Sequence, residues 1–376
     1  MRSTPIAALV LLAVTSPLRA EEAPAPQAGA EAPVAEAPSG EAVAEAKPAP
    51  LAGYDGGFFV QSEDESFLIE IGAKLQTRYT AEYAQAPGKD EITSSIAIRR
   101  AQVQLGGHLF TKKLRWGFQA EFAKGAALDD YWLEYEAVDG ALSVRAGRYK
   151  MPYSRHQLAS DGQFALVDRA VTDKAFLNGR DVGVMVHHKT GKGAPLEYAL
   201  GVFQGGDGQV FGPVIVGRVA YHSEKFGAYK EPDFDKGPLR WGVGGSMLID
   251  VGIDDPAERA LQMEVDAILK VAGFTGLAEV QVSSRPESPT SLAPTLDAVG
   301  LLVQGSYTIG ERFAPAARYA LVLSPDRGDV HELAVGGAAF LFRTNAMIKT
   351  DVALLLPEDT GYAPDVRWRV EAQLAF

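Results

Sequence analysis

Apolar and polar residues alternate with a period of two in segment after segment of this chain. In Val366 to Phe376, the residues Trp368, Val370, Ala372, Leu374 and Phe376 share one side, and Arg367, Arg369, Glu371 and Gln373 share the other. A strand shows this period when its two faces meet different surroundings. In Ile69 to Tyr83, the set Ile71, Ala73, Leu75, Tyr79 and Tyr83 opposes Glu70, Lys74, Gln76, Arg78 and Glu82. Leu114, Trp116, Phe118, Ala120 and Phe122 oppose Arg115, Gln119 and Glu121. The segment Leu261 to Val271 sets aliphatic residues against Gln262, Glu264, Asp266 and Lys270. Each time the polar face carries full charges. Strands that are apolar outward and ionic inward around water form membrane barrels.

Further segments of this kind are Ala101 to Leu109, Asp130 to Glu136, Leu142 to Ala146, Asp181 to Lys189, Leu196 to Gln204 and Pro213 to Ser223. Then come Leu239 to Asp250, Phe274 to Ser283, Leu296 to Ile309, Arg312 to Val322, His331 to Phe342 and Asn345 to Leu356. The fold expected is all-β, a transmembrane antiparallel β-barrel of about 16 strands, an even number as single-chain bacterial barrels have. Aromatics such as Tyr79, Tyr83, Trp116, Tyr221, Trp241, Phe313, Tyr319 and Trp368 are candidates for its interfacial girdles. Tight links at Thr111-Lys112, Val138 to Ala141, Gly310-Glu311 and Arg343-Thr344 suit periplasmic turns. Longer polar links at Ala86 to Thr93, Lys225 to Pro238, Ser284 to Thr295, Ser324 to Val330 and Pro357 to Asp365 suit outer loops. One connection, Met151 to Gly179, is out of scale and holds both charges and apolar residues. A segment of that length inside a compact fold is functional or disordered. Its apolar residues have to pack against something, and in a barrel the available place is the lumen, so it is expected to be an inward-folded constriction loop.

Composition sharpens the domain plan. Residues 1–20 have the layout of a secretory signal: Arg2, a short apolar run from Ile6 to Val14, and Ala20 at the cut. Residues 21–52 are an Ala/Pro/Glu-rich linker that cannot bury enough apolar surface to order itself. Residues 53–376 are the barrel domain. The chain has no cysteine, so an exported protein of this length must draw its stability from burial and backbone pairing. A net charge of -12 argues against a nucleic-acid partner.

Several motifs then resemble the phosphate-selective porin O/P family. They are Gly53 to Phe59, the pair Arg99-Arg100, Gly147 to Arg155 (GRYKMPYSR), Val167-Asp168-Arg169, Gly179 to Gly183 (GRDVG) and Tyr198 to Phe203. The resemblance implies a 16-stranded outer-membrane barrel, a homotrimer, and an inward-folded third outer loop. It also implies clustered lysines and arginines for an anion such as phosphate, whereas the loop here has few lysines and several acids.

Anion passage needs fixed positive charge where a pore is narrow. The candidate pore-lining and anion-binding residues are Lys74, Arg78, Arg99, Arg100, Arg145, Lys150, Arg155 and Arg169. Arg99 has the parity of the outer face and reaches the lumen only if its strand bulges. Most lumen cations have acids within reach across the wall, such as Glu82, Glu121, Glu134 and Glu371. Catalytic and metal signals are poor. His187 and His188 are adjacent and point to opposite faces of a strand, and His331-Glu332 lacks its second histidine, with Val335 in that place. No cofactor is expected. The expected function is passive diffusion of small hydrophilic solutes across the outer membrane, with anions favoured. A general or cation-leaning porin of the same fold is the alternative, and a barrel enzyme or structural outer-membrane protein is the more distant one.

Overall fold

The computed structural model describes residues 51–54, 56–86, 89–176, 179–190, 192–205, 212–227, 229–251, 260–286, 294–325, 328–357 and 365–376. The expected signal, residues 1–20, and nearly all of the expected linker, residues 21–52, lie outside them.

A short hairpin, β1 (Ala52–Tyr54) and β2 (Phe58–Gln61), precedes the long strands β3 (Leu68–Ala86), β4 (Lys89–Leu109), β5 (Thr111–Glu121) and β6 (Ala127–Val138). Next are β7 (Leu142–Lys150), β8 (Arg180–His188), β9 (Leu196–Phe203), β10 (Val214–His222), β11 (Arg240–Asp250) and β12 (Ala260–Val271). The series ends with β13 (Phe274–Pro286), β14 (Pro294–Tyr307), β15 (Phe313–Leu323), β16 (Val330–Phe342), β17 (Ala346–Pro357) and β18 (Asp365–Ala375). From β3 each strand pairs antiparallel with the next, and β18 closes on β3 from Val366↔Tyr83 to Ala375↔Lys74. Sixteen strands therefore form a ring without an edge, with the hairpin laid along the start of β3. Every expected strand is present; the sequence pattern passed over the short hairpin, and most of the outer loop expected at Ala86 to Thr93 is strand, because β4 begins at Lys89 and pairs back on β3.

The wall is inverted relative to a water-soluble protein. Val265 and Val335 are each 65 % exposed, whereas Lys349 and Glu371, on the other face, are 0 % exposed. Water outside would make that arrangement costly; hydrocarbon outside requires it.

The start of β3 and the end of β18 sit where the short links 139–141, 272–273 and 343–345 lie. This turn end corresponds to the periplasmic side. The link 223–239, expected as an outer loop, joins β10 to β11 and therefore also lies at the turn end. Its length suggested the opposite side, but β10 is the eighth strand of the ring and an even strand runs toward the turns.

The core lies inside the ring. Ala159, Phe164 and Ala170 from the loop 151–179 meet Phe226 and Tyr229 from 223–239, and both pack on Ile268, Leu277, Leu302 and Ala320 of the wall. Two long connections thus enter the lumen from opposite ends and join there.

Candidate functional site

The loop 151–179 is built from two helical turns, α1 (Arg155–Leu158) and α2 (Val171–Ala175). Ser154 caps α1 by accepting the Gln157 N–H, and Lys150 closes its other end by donating to the carbonyls of Gln157, Leu158 and Ala159. The loop's backbone is then tied to side chains from β3 and from six strands of the β10–β18 arc. Glu279 of β13 accepts the His156 N–H at 2.7 Å, Glu332 of β16 accepts the Val171 N–H at 2.6 Å, and Asp351 of β17 accepts the Val167 N–H at 2.9 Å. Arg218 of β10, Arg318 of β15, Arg78 of β3 and Gln373 of β18 donate to the carbonyls of Tyr153, Asp168, Val167 and Gly162. β3 and β10 stand nearly opposite each other in the ring, and a segment reached from both lies within it.

The narrow side of the loop faces β3, β4, β17 and β18. Asp161 takes Lys74 and, at 3.0 Å, Arg100; Asp168 takes Arg78 at 3.0 Å and Arg369 at 3.4 Å. Burial alone would raise the Asp168 carboxyl, but Arg78 and Arg369 hold it down at about 2. Arg78 also binds Glu371 at 2.7 Å, and Lys349, fully buried, binds Glu371 at 2.9 Å. The Arg99 condition is met: Gln76 pairs with Arg100 and Thr77 with Ile98, so Arg99 is the extra residue of a bulge. Its charge lies close enough to Arg100, Asp168, Arg78 and Asp161 to feel all four.

The structure separates the eight sequence candidates into three sets. Lys74, Arg78, Arg99 and Arg100 gather where the loop meets the wall, beside Asp161 and Asp168. Arg145 lies lower, on β7, against Glu134 and over the Trp132 ring at 4.2 Å. Lys150, Arg155 and Arg169 serve the loop itself. Arg155, expected to line the pore, is 4 % exposed, pairs with Asp266 and stacks on Tyr229 at 4.3 Å. Arg169 donates to the carbonyls of His156 and Ala159 and covers Phe164. In these three places burial and local acceptors outweigh solvent: the cations hold the loop in shape.

Residues of 223–239 were missed as part of the site. Glu231 accepts from the Ala165 N–H at 2.7 Å and from Gln304 at 2.7 Å, and its own N–H donates to the Gln163 carbonyl at 3.2 Å. His156 sits between Asp173 and Glu231 and stacks on Phe164 at 4.7 Å. Burial would lower its pKa, but the Asp173 and Glu231 carboxylates raise it to about 9. The signal that could have found this link was strand parity combined with Phe226, Tyr229 and Phe234 in an otherwise polar stretch.

With the β10–β18 side filled, the open space lies along β3 to β8, where a cavity of about 830 Å³ reaches from Gln104 and Gln119 down to Lys192. Among the described residues no group of three His, Asp or Glu is placed to hold a metal ion.

A closed ring with an apolar skin, an ionic lumen and an inward loop defines an outer-membrane porin, a channel and not an enzyme. Residues 70–222 match the family model described as phosphate-selective porin O and P. No protein of curated function matches the sequence. Solved barrels share the fold at low identity. The anion-selective porin from Comamonas acidovorans is 14 % identical, with 82 % of this chain and 99 % of that one covered at a TM-score of 0.57. The outer membrane channel DcaP of Acinetobacter baumannii is 11 % identical, covering 84 % and 99 % at 0.59. The trimer form of OmpT, an outer membrane protein of Vibrio cholerae, is 11 % identical, covering 82 % and 99 % at 0.53.

Proposed function

We propose that this porin passes small hydrophilic solutes passively and favours anions, phosphate among them, as a homotrimer in outer-membrane lipid. The observation that carries the anion preference is the β4 bulge. It turns Arg99 inward beside Arg100, opposite the loop, where one charge was expected to face lipid. Arginine offers a flat fork of donors that fits oxyanions, and its weak hydration lets it work in a narrow passage. The family description and the anion-selective similar barrel support the same reading, and the OmpT trimer supports the assembly. Asp161 and Asp168 partly offset the cations, so the preference expected is moderate.

The test is a planar-bilayer recording under a KCl gradient. Stepwise conductance with a reversal potential on the anion side is expected, and Arg99→Ala with Arg100→Ala should move it toward zero. A cation-side reversal potential in the unmodified protein contradicts the anion preference and favours a general, cation-leaning porin. Cross-linking in detergent reports the trimer; a monomer band alone sinks that part.

A further inference from the structure

At the turn end of β16 the outer wall finishes in a bulge. Leu333 and Val335 face outward on this strand, and by the same parity so does Leu341. Phe340 faces inward, opposite Met347 and packed with it in a buried cluster. A regular strand would send Phe342 inward as well. The register with β17 instead passes from Phe340↔Met347 to Phe342↔Ala346, so Leu341 is the extra residue of a bulge. Phe342 then lies in the outward row that runs through Ala346 and Leu374 to Leu75. Two consecutive apolar side chains therefore leave the wall at its edge, Leu341 at 69 % exposed and Phe342 at 77 %.

Directly beyond them the chain places cations. Arg312 ends the link from β14 to β15, and Arg343 opens the link from β16 to β17. Lys236, of the segment 223–239, reaches the same rim. These three line one shallow cavity of about 780 Å³ together with Leu341 and Phe342. The links are held in place: the Phe340 N–H donates to the Arg312 carbonyl at 2.7 Å, and the Asn345 N–H to the Phe342 carbonyl at 3.0 Å. Lys236 and Arg343 have left-handed backbone, φ +49° and +47°, where glycine is the easier residue. The acid of this lining, Glu311, meets Arg343 only at 3.7 Å, with both side chains more than half exposed. Asp235, next to Lys236, is taken by Arg240 at 3.2 Å. Among the described residues Lys236 and Arg312 carry no ion pair. Three cations against one acid thus stand where the apolar skin ends.

We propose that this rim binds an anionic phospholipid of the periplasmic leaflet, its phosphate among Lys236, Arg312 and Arg343 and an acyl chain along Leu341 and Phe342. Basic side chains at a membrane surface attract anionic headgroups, and an adjoining apolar face adds acyl contact. A free anion would meet the cations and leave the two apolar side chains without use; a phospholipid fits both halves. The site lies on the outside of the ring, so it stands apart from the solute path and from the ion preference of the channel.

The test is native mass spectrometry of the full-length protein in mild detergent, titrated with phosphatidylglycerol or with phosphatidylethanolamine of the same chains. Phosphatidylglycerol is expected to stay bound where phosphatidylethanolamine leaves. Lys236→Gln with Arg312→Gln should weaken it about tenfold, while Lys236→Arg with Arg312→Lys should keep it. A phosphatidylglycerol made photoreactive in its headgroup should label peptides spanning 309–313 and 340–345. Equal binding of the two lipids overturns the site, as does unchanged affinity in the double Gln variant with its heat-modifiable band intact. Labelling spread evenly over all turns overturns it too. Inorganic phosphate lacks the chains and should leave the lipid bound; displacement by it would make the rim a free-anion site. Labelling of the monomer alone, with the trimer protected, would show that a second copy covers the rim and would equally contradict the lipid.

Discussion

Arg155 and Arg99 show how one residue's role turns on its neighbours. Arg155 belongs to a motif that suggested a pore-lining charge, yet Asp266 and the Tyr229 ring enclose it. Removing one partner of a buried pair leaves the other without compensation. Arg155→Ala should destabilise the folded barrel by about 3 kcal/mol, read by urea unfolding in detergent, while the reversal potential stays put. A shifted potential at unchanged stability would return Arg155 to the pore. Gly147 is a second such position, with φ +130° and space for a Cβ only 2.2 Å from the Tyr131 carbonyl. Gly147→Ala is expected to cost about 1–3 kcal/mol in backbone strain alone, seen as a lower temperature for loss of the heat-modifiable band.

His156 gives the pH dependence. Its folded pKa, about 9, lies above the ordinary 6.5, so its stabilisation is complete below pH 6.5 and is lost as pH rises through about 9. The groups facing it are Asp173, Glu231, Glu279 and Arg169. Current fluctuations from a loosened loop should grow between pH 8 and 10, and His156→Gln should fluctuate equally at both. Recordings of equal quietness at both pH values in the unmodified channel contradict the assignment.

At the scale of elements, the segment 223–239 is the feature that length alone misplaced. Phe226 and Tyr229 complete an apolar cluster with the constriction loop, and Glu231 clasps its backbone. Tyr229→Ala with Glu231→Gln should free the loop, raising single-channel conductance and exposing 151–179 to protease; unchanged conductance and cleavage would show the clasp to be dispensable. The strands themselves were legible because two solvents impose a strict period on every one. The bulge at Arg99 was legible as a condition, since two adjacent arginines cannot both face inward on a regular strand. The clasp was not legible by pattern, because a segment packed inside a lumen has neither period and is set by contacts distant in sequence. The contacts of Lys150, Arg155 and Arg169 were illegible for the same reason: a cation's charge is visible in the sequence, its acceptors are not.

Taken whole, the molecule is a ring whose lumen is divided lengthwise. Ion pairs and two inward segments fill the β10–β18 side, and a cavity lies along the β3–β8 side. The chain carries no cysteine, so a single one placed by substitution reports its own surroundings. Gln104 faces the open side, and Gln304, buried against Glu231, faces the filled one. The most direct measurement is the bilayer current of Gln104→Cys and Gln304→Cys during addition of a charged, water-soluble thiol reagent. Current through Gln104→Cys should fall in steps while Gln304→Cys stays unaffected. Equal block of both, or block at 304 alone, would contradict a channel confined to one side of its barrel.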